Sequence, residues 1–186
     1  MKKTIKQKTV ITLASLGLAC SSVVVFANTT KATKSTGSTT QSSLTVEQAK
    51  EKALNESKSG QVIGYEQENK SRKTVFEITI LDGQNEKEYK IDGQTGDVLK
   101  SKTKDLTKDK DDKQLINASY KIDLAGAESQ VKSKYPKSTI EKLQLDVENN
   151  TLVYDVSLTE GKKEIDLELD ANTGQIVEED IETEKD

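Results

Sequence analysis

From Leu44 onward the apolar residues follow two rhythms, one of helical period and one of period two, and the whole series occurs twice. Val46, Ala49, Ala53 and Leu54 fall on one side of a helix, with Glu, Lys and Gln on the other. Thr45 with Gln48 three residues on forms a capping box, and Gly60 is the stop. Val75 to Ile80 then alternates, putting Phe76, Ile78 and Ile80 on one face of a strand and Glu77 and Thr79 on the other. Glu86 to Asp92 repeats the alternation with Tyr89 and Ile91 inward, and an earlier strand covers Val62 to Glu68.

Sliding the chain by 78 residues brings this series onto itself without a gap. Phe76-Glu77-Ile78-Thr79-Ile80 falls on Tyr154-Asp155-Val156-Ser157-Leu158, and Ala49, Val62 and Gly83 fall on Ala127, Ile140 and Gly161. In the second copy Asp123 is the helix cap, Leu124, Ala127, Val131 and Tyr135 make the stripe, and Pro136 ends it. Ile165, Leu167 and Leu169 match the second alternating strand, and Ile140 to Val147 the early one. Only one strand face is apolar, so each copy is expected to be α+β, one helix covering one side of a small antiparallel sheet of three to four strands.

The most specific local signal is an Asp-x-x-Thr-Gly turn, Asp92, Thr95 and Gly96 in the first copy and Asp170, Thr173 and Gly174 in the second. An Asp opening a tight turn accepts backbone N–H groups two and three residues on, and a Gly closes it at positive φ. A calcium loop would need Asp-x-Asp-x-Asp-Gly spacing and a bidentate Glu, both missing, and Gln175 stands where the first copy has Asp97. These six residues are therefore read as structural turn residues, with no metal, cofactor or catalytic site.

The start of the chain breaks the pattern. Met1 to Lys8 carries four lysines, Val10 to Ala27 is free of charge, and Val25-Phe26-Ala27 is a cleavage motif, so residues 1–27 read as a secretory signal. The alternatives are a retained anchor, weakened by Thr12, Ser15, Ser21 and Ser22, and a lipid on Cys20, where Gly17 and Leu18 do not make a lipobox. Residues 28–43 are a Ser/Thr-rich tether, the modules span 44–104 and 117–180, residues 105–116 form a charged linker, and 181–186 are an acidic, frayed tail. That linker offers little apolar surface, so the modules are expected to fold independently.

Composition narrows the chemistry. Loss of the leader removes the only Cys and Met and leaves 24 basic against 32 acidic residues, a net −8 that disfavours nucleic acid and anionic lipid as partners. There is no His in the chain, which excludes imidazole bases, catalytic triads and HExxH zinc sites, and no P-loop or GxGxxG run occurs. With 32 acids, chance carboxylate pairs carry no glycosidase signal.

The helix stripe, the aromatic-x-aliphatic strand and the Asp-Ala-x-Thr-Gly-x-Val end resemble the PepSY family. In copy one the matching residues are Ala49, Ala53, Phe76, Ile78, Tyr89, Ile91, Asp92, Thr95, Gly96 and Val98. In copy two they are Ala127, Tyr154, Val156, Leu169, Asp170, Ala171, Thr173, Gly174 and Ile176. Gly93, Val131, Leu167 and Gly126 depart from the pattern. The resemblance implies no catalytic residues and an exported regulatory or inhibitory protein whose partner is a secreted peptidase. The competing expectation is an envelope module that binds wall polymer or a surface protein without affecting proteolysis. Neither requires membrane insertion once the signal is cleaved, and oligomeric state stays open.

Overall fold

The computed structural model describes residues 43–70, 73–116 and 118–184. The leader with Cys20, and nearly all of the Ser/Thr-rich tether, lie outside them. The described chain runs α1 (Val46–Ser57), β1 (Gln61–Lys70), β2 (Lys73–Asp82), β3 (Asn85–Asp92) and β4 (Val98–Asp105). A single 3-10 turn (Leu106–Lys108) and the short α2 (Lys113–Ile116) lead to α3 (Leu124–Lys134). The second copy continues as β5 (Thr139–Glu148), β6 (Thr151–Glu160), β7 (Lys163–Asp170) and β8 (Ile176–Thr183).

Both main helices begin at side-chain caps. Thr45 accepts the Gln48 N–H while the Gln48 side chain accepts the Thr45 N–H, and Asp123 accepts the Gly126 N–H at 2.8 Å. Each bond satisfies an amide that the helix itself leaves without a partner. Helix α1 stops where Lys58 turns left-handed, φ 65°. Helix α3 stops at Tyr135, the residue before Pro136. The small buried side chains Ala49, Ala53 and Ala127 let the helices lie close on the sheet.

The α+β class holds, but the expected pair of small sheets does not. All eight strands form one antiparallel sheet in the order β4-β3-β2-β1-β5-β6-β7-β8. Each copy contributes a four-stranded meander, and the two meet where β1 pairs β5. At that seam Tyr65 lies opposite Leu143, with Gly64 opposite Gln144 and Glu66 opposite Lys142. Tyr65 and Leu143 are 78 residues apart, so the seam sets a position against its own repeat. A local twofold axis therefore passes through this pair, normal to the sheet, and puts α1 and α3 on the same face.

The buried residues of both copies form one hydrophobic cluster, including Ala49, Tyr65, Phe76 and Ile78 from the first and Ala127, Leu143, Tyr154 and Val156 from the second. Two independent cores were expected; a shared core is found. The reason is backbone pairing at β1–β5, which needs no apolar linker to join the modules.

The stretch 105–116 also differs from a solvated linker. Leu106 is fully buried and Leu115 nearly so, and both belong to the core cluster. Asp105 caps the 3-10 turn by accepting the Thr107 N–H at 3.0 Å, and the Leu106 N–H donates to the Gln84 carbonyl at 3.0 Å. Asp112 pairs with Lys104 at 2.8 Å and Gln114 donates to Asn150 at 3.0 Å. The segment is a strap fastened at each end, and its two leucines contribute roughly 1.5–3 kcal/mol each by burial. Residues 181–184 of the acidic tail are likewise ordered. Residues 178–183 are part of β8, and the Glu184 N–H donates to the Lys162 carbonyl at 3.0 Å.

Candidate functional site

The two Asp-x-x-Thr-Gly turns have matching geometry. Asp92 Oδ1 accepts the Gln94 and Thr95 N–H groups at 2.9 and 3.1 Å, and the Gly96 N–H donates to the Asp92 carbonyl at 2.8 Å. Asp170 Oδ1 accepts Asn172 and Thr173 at 2.9 and 2.7 Å, and the Gly174 N–H donates to the Asp170 carbonyl at 2.8 Å. Gly96 and Gly174 adopt φ 75° and 73°. Amide donors hold both carboxyls below the usual range, chiefly the N–H of Gln94 for Asp92 and that of Thr173 for Asp170.

Each turn also anchors the chain entering its helix. The Leu44 N–H donates to the Gly93 carbonyl and the Ile122 N–H to the Ala171 carbonyl, again 78 residues apart. Gly93, where the second copy has Ala171, has no room for a Cβ, which would lie 2.8 Å from the Thr74 carbonyl oxygen. Among the described residues no group of His, Cys, Asp and Glu is arranged to hold a metal ion.

The sheet face turned away from the helices carries the charge. Ion pairs tile it: Lys90–Glu77 at 2.5 Å, Lys142–Asp155 at 2.6 Å and Lys102–Glu88 at 3.2 Å. Thr79, between Glu77 and the strand end, is buried, and the Ser157 hydroxyl donates to Asp166 at 2.7 Å. The strap overhangs part of this face and makes a recess of about 220 Å³. Glu66, Glu86, Lys104, Asp112, Leu115 and Asp146 are among its lining residues.

Burial pushes the Glu66 carboxyl up, with Glu77 adding repulsion and Lys142 opposing it. Burial also raises Glu86, against the pull of Lys104 and with Glu88, Asp112 and Asp146 adding to the rise. Carboxylates in this state gain when a cation approaches, because the new charge offsets lost hydration.

Charge is unevenly spread toward the two outer strands. On β3 and β4, Glu86 faces Lys104 and Glu88 faces Lys102. On β7 and β8, Glu164 faces Glu182, Asp166 faces Asp180 and Glu168 faces Glu178. Directly opposed like charges weaken a strand pair, so this end of the sheet is acid-dense at some cost in stability. On the helix-bearing face, Glu179 of β8 accepts from Lys134 at 2.6 Å and from the Tyr135 hydroxyl.

The sequence reading missed the recess, the strap and the seam. One signal was available: the 78-residue offset sets Lys50 on Glu128, and these two meet at 3.6 Å between α1 and α3. Lys50 Nζ also lies 4.2 Å from the centroid of the Tyr65 ring, on the twofold axis. Opposite charges at equivalent positions can meet only where those positions flank the local axis, as Lys50 and Glu128 do.

A family model described as "Peptidase propeptide and YPEB domain", PepSY, matches residues 43–102 and again 121–180. No curated protein matches the chain. Among solved structures, a candidate lipoprotein of Clostridium difficile 630 is 20% identical over 70% of this chain and 88% of its own, with a TM-score of 0.44. The Bacillus megaterium YpeB C-terminal domain is 14% identical over 76% of this chain and 66% of its own, with a TM-score of 0.33. With the family model spanning both halves of the repeat, the chain belongs to the PepSY family and carries two tandem copies of its domain.

Proposed function

We propose that this protein is an extracytoplasmic, non-catalytic binding protein that docks on a secreted peptidase and modulates it. The observation that carries this reading is the open, charged sheet face with its carboxylate-lined recess, opposite the face that the helices cover. Half-buried carboxylates with raised proton affinity favour a lysine- or arginine-bearing protein surface. The family description supplies the peptidase connection, and the charge-free run from Val10 to Ala27 behind four lysines supplies export. The turn residues Asp92, Thr95, Gly96, Asp170, Thr173 and Gly174 serve the fold in this reading and touch no partner. Without His, and without Cys once the leader is cleaved, Ser–His and Cys–His nucleophile pairs are excluded by composition.

Titration of protein beginning at Asn28 against thermolysin-like and other secreted peptidases tests the proposal. Inhibition or activation of at least one is expected, weakening as salt rises toward ~0.5 M, and Glu66→Lys with Glu86→Lys should abolish it. No effect on any peptidase, combined with retention on isolated cell wall, would transfer the protein to the envelope-binding class. Intact mass of native material tests export separately: a chain starting at Asn28 is expected, and a lipid mass on Cys20 or a retained leader would correct it.

A further inference from the structure

We propose that copies of this chain associate side by side, β4 of one copy pairing with β8 of the next, so that the sheet continues from molecule to molecule. Three observations converge on the two outer strands. First, among the described residues β4 and β8 each pair on one side only, with β3 and β7, which leaves a row of backbone donors and acceptors along each outer edge. Second, among the described residues the exposed large apolar side chains are Leu54, Val98, Leu99, Val177 and Ile181, and all but Leu54 lie on β4 or β8. A strand added at either edge covers these side chains from the side, Leu99 then lying opposite Thr183 and Ile181 opposite Ser101.

Third, the edges carry opposite charge at equivalent positions. Lys100, Lys102 and Lys104 on β4 correspond, 78 residues on, to Glu178, Asp180 and Glu182 on β8. Two β4 edges repel each other, as do two β8 edges, whereas the unlike pair attracts. Edge lysines alone are a common guard against pairing. Here the guard on one edge is the complement of the guard on the other.

The molecule already contains a junction of this kind. At the β1–β5 seam, equivalent strands pair antiparallel about equivalent residues, and the opposite charges Lys50 and Glu128 meet beside them. Repeating that operation between molecules sets Lys102 opposite Asp180, Lys100 opposite Glu182 and Lys104 opposite Glu178. All six lie on the face away from the helices, so the helices of successive copies stay on one side. Lys102 and Lys104 already bond Glu88 and Asp112 in their own molecule, so the junction would extend existing charge networks. A β4-to-β8 contact is heterologous, and it propagates unless the rotation closes it into a ring.

Sedimentation velocity on protein beginning at Asn28, which retains the whole compact unit Ser42–Asp186, tests this. The average mass of the wild type should rise with concentration in low salt and fall back to monomer near ~0.5 M salt. Glu178→Lys/Asp180→Lys/Glu182→Lys makes both edges basic, and Lys100→Glu/Lys102→Glu makes β4 acidic to match β8. Each variant alone should associate at least about tenfold more weakly than wild type, and an equimolar mixture should recover association. Circular dichroism melts establish that both are folded, and the β8 variant relieves its like-charge rungs and should melt no lower than wild type. A wild type that stays monomeric to ~1 mM in low salt, or a β8 variant that associates undiminished by itself, overturns the proposal. So does a monomeric wild type that captures a lysine-rich peptide, which would assign the edge to a foreign strand.

Discussion

The side chain of Gln144 lies across Gly64, filling the space where any other residue would carry its Cβ. A Cβ at Gly64 would overlap the Gln144 amide oxygen and come within 2.9 Å of the Gln144 Cα. Backbone is involved, so a rotamer change cannot relieve the clash. Gly64→Val should therefore loosen the seam between the repeats and cost about 1–3 kcal/mol. Hydrogen exchange should quicken in β1 and β5 while β3 and β7 keep their protection. Uniform loss across the sheet would mean the halves do not separate as units.

The turn glycines offer a graded comparison. Gly96 and Gly174 are left-handed, and a Cβ on either would overlap the helix side chain above it, Lys52 or its equivalent Gln130. Gly83 and Gly161 are also left-handed, but open space surrounds them. Valine at Gly96 or Gly174 should cost about 1–2 kcal/mol or more in urea melts. Asparagine at Gly83 or Gly161, which tolerates that conformation, should cost much less. Equal losses at all four sites would show that crowding by the helices is irrelevant.

Leu106 and Leu115 test whether the strap belongs to the core. Both are buried while Lys110 between them is exposed. Leu106→Ala or Leu115→Ala should destabilise by about 2–4 kcal/mol, and Lys110→Ala should be nearly neutral. Wild-type midpoints for the leucine variants would return this stretch to the status of a tether.

Stability should peak on the acid side of neutral. Burial raises Glu66, Glu86 and Glu141, so their contribution is full below the ordinary Glu value of about 4.3 and is lost as pH rises through their folded values. Asp92 and Asp170 are held low, so theirs is present above about 3.9 and is lost as pH falls through their folded values. Urea midpoints from pH 3 to 8 should rise and then fall. Glu66→Gln with Glu86→Gln should flatten the neutral limb, and Asp92→Asn with Asp170→Asn the acid limb. A monotonic climb to pH 8 would show that the half-buried glutamates carry no penalty.

What could be read from the sequence was whatever side-chain patterning enforces. Phe76, Ile78 and Ile80 alternate because one strand face is buried, and Thr45 and Asp123 announce helix starts because free amides need acceptors. The outer strands gave no such sign. Val98–Asp105 is exposed nearly throughout and β8 likewise, since backbone bonds to a single neighbour hold them and leave the side chains unconstrained. A run such as Lys-Ser-Lys-Thr-Lys then looks the same in a linker as on an edge. The strap was hidden because its two leucines stand nine residues apart among charges, too sparse to set up any period. The recess followed from the strap, so it was hidden too.

Lys50 and Glu128 meet beside the local axis because they occupy the same place in successive repeats. In a dimer of identical chains that place would hold one residue type, and lysine would face lysine or glutamate face glutamate. Joining the halves in one polypeptide lifts the restriction, since each copy can mutate without changing its counterpart. The opposed charges at this point, and the unequal partners Tyr65 and Leu143 below them, are open to linked repeats and closed to a dimer of identical chains. Covalent linkage has thus turned a symmetric interface into one with two distinguishable sides, and evolution can give each side a different task.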